Sequence, residues 1–292
     1  MSWQSFVAHR FDRLPGSARS GLWMSASAFC YAASAAIVHH LSVSMATFET
    51  VFLRNLFCLM FMMPWVFGVG WSAFRTQRLS MHLFRGLSSA VNISCMFGAL
   101  AFIPIADMAA ITFLQPILGS IIAVVVLKEL SSGRRWSAAA AGFAGAMLIV
   151  RPGFETINVG VLLALGSAVA GAVVAIMIKD LVRTESPDTV VVYLFVFQTV
   201  IMLVPAIMVW RTPTLQEFAW LALLGLFGVW LQRAFNRAMQ AADATVALPF
   251  NFTRLIWTAA LGWILFSELP DIWTWIGGTI IFVASVSIVR RA

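Results

Sequence analysis

The sequence predicts an all-α polytopic membrane protein with ten transmembrane helices, arranged as two inverted five-helix repeats around a central cavity. Three observations favour this fold. The 292-residue chain is 61% hydrophobic and only 11% charged, whereas about a quarter of the residues in a soluble domain are charged. Apolar runs long enough for a membrane helix recur from end to end. The two halves of the chain also repeat one pattern of glycines, acids and tryptophans.

Ten apolar segments have about the 17–25 residues that a membrane-spanning helix needs. They cover residues 20–40, 46–67, 80–102, 107–127, 134–151, 157–179, 188–209, 215–239, 244–266 and 271–290. The connections are short and contain Gly, Pro, Ser or charged residues, so no soluble domain fits between two spans. We divide the chain into a tail at 1–19, a first repeat at 20–153 (helices 1–5) and a second repeat at 154–292 (helices 6–10).

The positive charges predict the orientation of these spans. Lys and Arg are enriched in cytoplasmic loops of membrane proteins. With a cytoplasmic N-terminus, the outer segments hold only Arg151 and Arg211. The inner segments hold Arg10, Arg13, Arg19, Arg75, Arg78, Lys128, Arg134, Arg135, Lys179, Arg183, Arg237, Arg290 and Arg291. Both termini are therefore expected in the cytoplasm of a bacterial inner-membrane protein, and the net charge of +7 indicates loop placement rather than nucleic-acid binding.

An internal repeat supports the division into halves. Gly21 and Glu129 recur 139 residues later as Gly160 and Glu268. Each half contains five spans, an odd number, so the two halves must cross the membrane in opposite senses. Inverted repeats are typical of transporters, whose substrate site lies near the midplane between the halves.

The repeat also resembles a known family. Residues 113–153 and 251–291 share an apolar span, then LKEL at 127–130 or FSEL at 266–269, and then a Gly-rich span opened by Trp136 or Trp275. This plan is similar to the EamA repeat of the drug/metabolite transporter superfamily. The resemblance implies ten helices in a five-plus-five inverted arrangement around a central cavity. Within the family it most resembles the bacterial amino-acid exporters, including the aromatic amino-acid exporters.

The ninth span contains the most unusual group of residues for a lipid environment. Pro249, Asn251 and Arg254 fall within six residues, near the middle of the bilayer. An arginine at the centre of a membrane helix costs about 2.5–3.5 kcal/mol on insertion scales, so Arg254 requires a polar partner inside the protein. The two interpretations are a substrate or gating residue and a fixed internal ion pair.

Further polar and aromatic positions are candidates for a wet, substrate-binding cavity. Arg54 lies a third of the way into the second span, five residues after Glu49, which makes a local ion pair the alternative. Single interhelical hydrogen bonds can also serve packing alone, and tryptophans commonly face lipid. The remaining candidates are Tyr31, Asn92, Gln115, Trp230, Asn236 and Trp257.

Two prolines are candidate hinges. Pro116 and Pro249 occupy corresponding spans of the two repeats. Proline removes a backbone hydrogen bond and kinks a helix, so both positions can either bend during alternating access or fix a static shape.

The titratable residues favour structural roles. Asp107 and Asp243 begin spans, where a carboxylate suits the helix dipole, and Glu129 and Glu268 lie at helix ends. His39 and His40 close the first span without metal-binding spacing. The sequence has no phosphate-binding loop and no hydrolase or metalloprotease motif, so we expect neither an enzyme nor a bound metal or cofactor.

These observations lead to a functional hypothesis. The chain is expected to act as a monomer that exports small amphipathic metabolites, amino acids including aromatic ones, by alternating access. Either uniport or proton-coupled antiport is compatible with the sequence. The alternative is uptake or exchange of a nucleoside-like or cationic metabolite such as S-adenosylmethionine. An integral membrane enzyme would require a convergent set of His, Asp and Cys residues, which the sequence lacks.

Overall fold

A computed structural model of the protein describes residues 14–112, 158–241, 253–267 and 271–289, with single positions at 114–115, 118, 137, 140–141, 144–145, 148 and 250. Secondary structure in this part of the chain is helical. The helices are α1 (Gly16–Leu41), α2 (Thr47–Val69), α3 (Leu79–Ala99), α4 (Ile105–Thr112), α5 (Val159–Leu181), α6 (Pro187–Met208), α7 (Leu215–Ala241), α8 (Thr253–Phe266) and α9 (Ile272–Val289). A 3₁₀ helix, Gly70–Phe74, follows α2.

Five of these helices are long and apolar enough to cross a membrane: α1, α2, α5, α6 and α7. They correspond to the first, second, sixth, seventh and eighth predicted spans. Most of the fifth predicted span, and parts of the fourth and ninth, lie outside the described residues. Within the described chain the all-helical prediction is confirmed.

Local sequence explains where several helices begin and end. The side chain of Asn158 accepts a hydrogen bond from the Gly160 backbone N–H at the start of α5, and Ser186 accepts one from the Thr189 backbone N–H at the start of α6. Both residue types are preferred helix caps. The third predicted span extends to residue 102, but α3 ends at Ala99. There the backbone tightens into turns, in which the N–H of Phe102 donates to the carbonyl of Ala99.

Among the described helices, packing occurs mainly between the two halves of the chain. α1 packs on α7 and α8. In the repeat, α5 corresponds to α1 and α3 corresponds to α7, and α5 and α3 also pack on each other. The pair formed by α2 and α7 is likewise mirrored by the pair formed by α6 and α3. Exchanging the two repeats therefore maps one set of contacts onto the other, as an inverted repeat requires.

Two glycines show this symmetry at the level of single atoms. A Cβ atom on Gly86 of α3 would lie 2.6 Å from Cβ of Phe197, and one on Gly225 of α7 would lie 2.5 Å from Cβ of Phe57. Gly86 and Gly225 are 139 residues apart, the same offset that relates Gly21 to Gly160. Each glycine lets a helix of one half approach a phenylalanine of the other half closely, as small residues do at membrane helix interfaces.

A face of small residues on α1 forms part of the core. Ala28 and Ala32 are fully buried and Ala36 is nearly so. On the same helix, the Ser20 hydroxyl donates to the carbonyl of Ala238 and the Ser27 hydroxyl to that of Leu231. These hydrogen bonds join α1 to α7 and position the middle of α1 beside a central cavity.

Candidate functional site

A cavity of about 120 Å³ lies between the two halves. A single water molecule needs roughly 10–15 Å³ of such volume, so the cavity can hold several waters or part of a small solute. Both repeats contribute to its wall. The lining residues are Tyr31, Ser34, Arg54, Asn92, Ile93, Met96, Phe97, Thr112, Gln115, Ser167, Gly171, Val174, Ala175, Ile178, Leu231, Gln232, Phe235 and Arg254.

A cluster of polar side chains on the cavity wall connects α3, α5 and the residues that follow α4. The Asn92 amide donates to the Ser167 carbonyl at 2.6 Å and to the Ser167 hydroxyl at 3.2 Å. Gly171, one turn further along α5, lies against the Gln115 amide, and a Cβ there would also lie 2.9 Å from Asn92 Nδ2. Asn92 and Gln115 therefore meet at a position that only glycine leaves open.

Arg54 enters the cavity from α2 and is only 4% exposed. Its Nη1 donates to Asn55 Oδ1 at 3.0 Å, and its Cζ lies 5.5 Å from the centroid of the Phe195 ring. Gly228 of α7 provides the space, because a Cβ there would lie 2.6 Å from Nη2 of Arg54. Arg54 forms no ion pair with Glu49 in the described structure, so the local pair considered from the sequence does not form.

Arg254 enters from α8 and is 7% exposed. Its Cζ lies 3.8 Å from the centroid of the Tyr31 ring, which is a close cation–π contact between the two halves. Among the described residues, Nε of Arg254 and the Tyr31 hydroxyl have no hydrogen-bond partner. Among the described residues, Arg254 therefore contacts an aromatic ring and forms no ion pair with a carboxylate.

The structure therefore brings together five of the candidate residues predicted from the sequence. Tyr31, Arg54, Asn92, Gln115 and Arg254 all line the cavity. Pro116, Pro249 and Asn251 lie outside the described residues, as do the repeated acids Glu129, Asp243 and Glu268.

Three candidates lie away from this cavity in the described structure. Trp230 and Trp257 are 50% and 40% exposed, and neither belongs to the described cavity wall. Trp257 packs edge-on against Phe29, with ring centroids 5.1 Å apart. Asn236 is fully buried, but its amide donates to the carbonyl of Pro187 at 3.1 Å, at the start of α6. Both tryptophans thus lie at the partly exposed surface of α7 and α8, where Trp257 borders α1.

The candidates predicted from the sequence did not include Ser34, Thr112 and Ser167 among the polar residues on the wall. Ser34 follows Tyr31 by three positions, and Thr112 precedes Gln115 by three. Residues three apart on a helix share a face, so helical spacing from the predicted candidates was an available signal for both.

Polar contacts between the halves also occur at both ends of the bundle. Around α3, the His82 ring lies 2.6 Å from a Glu185 carboxylate oxygen, and Arg78 pairs with Asp180. The hydrogen bond to Asp180 holds the pKa of Arg78 above its ordinary value.

At the opposite end, two hydroxyls bind carboxylates of the other half. The Ser44 hydroxyl donates to Glu217 at 2.7 Å, and the Thr274 hydroxyl donates to Asp107 at 2.6 Å. Asp107 lies in the first turn of α4 as predicted.

Comparison with known proteins identifies the family and the fold to which this arrangement belongs. The model of the EamA-like transporter family matches residues 19–151 and again 158–290. A solved crystal structure with 16% sequence identity superposes with a TM-score of 0.66, over 93% of this chain and 98% of that chain. The match shows a shared fold.

Several curated proteins are similar over nearly their whole length. An S-adenosylmethionine uptake transporter of Rickettsia bellii is 28% identical, over 91% of this chain and 92% of its own. A riboflavin transporter of Vibrio cholerae is 29% identical, over 94% and 93%. A pseudopaline exporter of Pseudomonas aeruginosa is 27% identical, over 93% and 96%. With both halves matched by the family model, this chain is a multi-pass membrane protein that belongs to the EamA-like transporter family of the drug/metabolite transporter superfamily.

Proposed function

We propose that the chain is a secondary transporter that exports small amphipathic metabolites, with amino acids, including aromatic ones, as the first class to test. The observation that carries this proposal is the composition of the cavity wall. Polar side chains from both repeats gather there between apolar helices, with Phe97 and Phe235 beside them. Such a site suits a solute with one apolar and one polar end.

The contacts at the two ends of the bundle support alternating access. Glu185 joins the halves at the end predicted to be cytoplasmic, and Glu217 and Asp107 join them at the end predicted to be outside. A solute can leave toward one side only when the contacts on that side open. We propose that the halves rock about the cavity, breaking one set of contacts at a time. The prolines Pro116 and Pro249 stay our predicted hinges.

The remaining features of the proposal concern placement and coupling. We propose that the protein lies in a bacterial inner membrane with both termini in the cytoplasm, and that it acts as a monomer that binds no nucleic acid. It works as a uniporter or as a proton-coupled antiporter.

A second candidate function is uptake or exchange of a nucleoside-like metabolite. It is favoured by the relatives, several of which are named S-adenosylmethionine uptake transporters. Other relatives are named riboflavin transporters, so riboflavin is a second solute to test under this candidate function.

Counterflow in proteoliposomes tests these candidates. Vesicles containing the purified protein are preloaded with one unlabelled solute and given the same solute in labelled form outside. The panel contains the twenty amino acids, S-adenosylmethionine and riboflavin, measured at two pH values with empty vesicles as the control. Exchange of amino acids supports the first candidate, and exchange confined to S-adenosylmethionine or riboflavin supports the second. Exchange of no solute would contradict both, and a rate that changes with an imposed pH gradient would indicate proton coupling.

A further inference from the structure

The cavity contains two buried guanidinium groups, one from each half of the chain. Arg54 and Arg254 are both more than nine-tenths buried and both line the cavity. In the described structure, Nε of each lacks a hydrogen-bond partner. A buried charge without an opposite charge beside it is costly, so two such groups in one cavity need a counter-charge or water.

No described residue supplies that counter-charge. The described lining residues other than the two arginines are neutral. The carboxylates that the structure describes near cations are engaged elsewhere: Asp188 with Arg233 and Arg237, Glu217 with Arg211, Glu185 with His82 and Asp180 with Arg78. The cavity wall, as described, therefore carries two positive charges and no negative one.

Both guanidinium groups are held in ways that leave N–H groups free to bind. A planar guanidinium stacked on an aromatic ring keeps its N–H groups in its own plane, available for a two-pronged bond to a carboxylate or phosphate. Arg254 is stacked on Tyr31 in this way. Arg54 uses Nη1 for Asn55, and its Nη2 and Nε lie beside Gly228, where a Cβ atom would be only 2.6 and 3.0 Å from them.

We propose that this cavity recognises the anionic group of an organic solute, with the carboxylate or phosphate of the solute bound by Arg54 and Arg254 and its apolar part placed against Phe97, Leu231 and Phe235. The inference rests on the proposed function and narrows its substrates. Amino acids and S-adenosylmethionine carry a carboxylate and fit the site. Riboflavin has no ionised group at neutral pH and does not fit, whereas its phosphate ester does.

Matched pairs of solutes that differ only in the anionic group test this inference. The pairs are phenylalanine and phenylalaninamide, S-adenosylmethionine and its decarboxylated form, and riboflavin phosphate and riboflavin. Binding is measured as a ligand-induced rise in the melting temperature of the purified full-length protein, and transport as counterflow. In each pair, the anionic member is the solute that carries the carboxylate or phosphate. We expect the anionic member of at least one pair to bind at least tenfold more tightly than the member that lacks this group. The two carboxylate pairs and the phosphate pair also show which anionic group the site prefers.

Variants locate the anion within the cavity. Arg54→Gln and Arg254→Gln should each weaken binding of the anionic solute at least tenfold, and Arg254→Lys should lose less. Arg183→Gln removes a charge from an exposed position outside the cavity and serves as the matched control, with unchanged binding expected. Because an arginine variant can fail to fold, the wild-type comparison within each pair is a test that needs no variant.

The outcomes separate this inference from the function on which it rests. Anion-selective binding without counterflow would contradict the proposed transport but support the anion site. Counterflow of solutes without selectivity for the anionic member, or equal binding by the folded glutamine variants, would overturn the anion site and leave transport standing. Binding of neither member of any pair would also overturn it.

Discussion

The guanidinium group of Arg254 lies over the ring of Tyr31, with Cζ 3.8 Å from the ring centroid. These residues belong to different repeats, so the contact joins the two halves at the cavity. Tyr31 presents only its ring to Arg254, and the Tyr31 hydroxyl has no partner among the described residues. The ring rather than the hydroxyl therefore orients the arginine.

This contact predicts different outcomes for two substitutions of Tyr31. Tyr31→Phe retains the ring and should transport at nearly the wild-type rate. Tyr31→Leu removes a cation–π contact that is worth about 0.5–2 kcal/mol, and should reduce substrate affinity by a factor of roughly 2–30. Counterflow at several substrate concentrations, with protein amounts matched, measures the change. Equal loss in both variants would show that the hydroxyl carries the role assigned here to the ring.

Gly171 predicts a sensitive position on the cavity wall. Gly171→Ala places a methyl group against the Gln115 amide and 2.9 Å from Asn92 Nδ2, so both amides must move. We expect a several-fold loss of transport with a melting temperature close to wild type, since both are flexible side-chain ends. Gly166→Ala is the matched control on the same helix, because its new methyl group would lie 3.6 Å from the Cys95 sulfur, an ordinary contact. Similar transport by both alanine variants would argue against a functional role for the Asn92 and Gln115 amides.

The paired glycines at the interface of the halves predict losses of stability. Gly86→Ala and Gly225→Ala each force a methyl group against the Cβ atom of a phenylalanine, and overpacking of this kind costs about 1–3 kcal/mol. Both variants should melt several degrees lower than wild type in detergent. Gly68→Ala, with no atom within 4 Å of the new methyl group, provides the comparison. If only one of the pair is destabilised, the two interfaces are not energetically equivalent.

The predicted orientation can be tested at two exposed positions. Val43, between α1 and α2, is 90% exposed and should lie outside, and Trp71, after α2, is 91% exposed and should lie in the cytoplasm. In a variant lacking Cys30, Cys58 and Cys95, a membrane-impermeant maleimide should label Val43→Cys in intact cells. It should label Trp71→Cys only after the membrane is permeabilised. The reverse pattern would place both termini outside.

The sequence was sufficient to predict the architecture because membrane helices have strong local signals. The boundaries of α2, predicted at 46–67 and found at Thr47–Val69, follow from one apolar run and its flanking residues. Arg54 and Arg254 were identifiable for a related reason: a charge within an apolar span is costly, so its presence points to a polar interior.

The orientation of side chains around each helix was harder to predict. Trp230 and Gln232 are two positions apart on α7, which places them about 200° apart around the helix axis. Gln232 lines the cavity and Trp230 is half exposed. The prediction that Trp230 lines the cavity, made because its helix carries polar residues, ignored this angle. The contact between Tyr31 and Arg254 had no local signal, because it depends on how two distant helices pack.

The packing of each repeat mainly against the other has a consequence for biosynthesis. The ribosome releases α1, α2 and α3 before the helices that cover them, and at about 5–20 residues per second the second half follows over on the order of ten seconds. During that interval the small residues of α1, the Gly86 groove of α3 and the charge of Arg54 face lipid or the insertion machinery instead of their final partners. The nascent first half therefore lacks the helices that cover these groups until the second half is made, and ribosome pausing before α7 should increase its degradation.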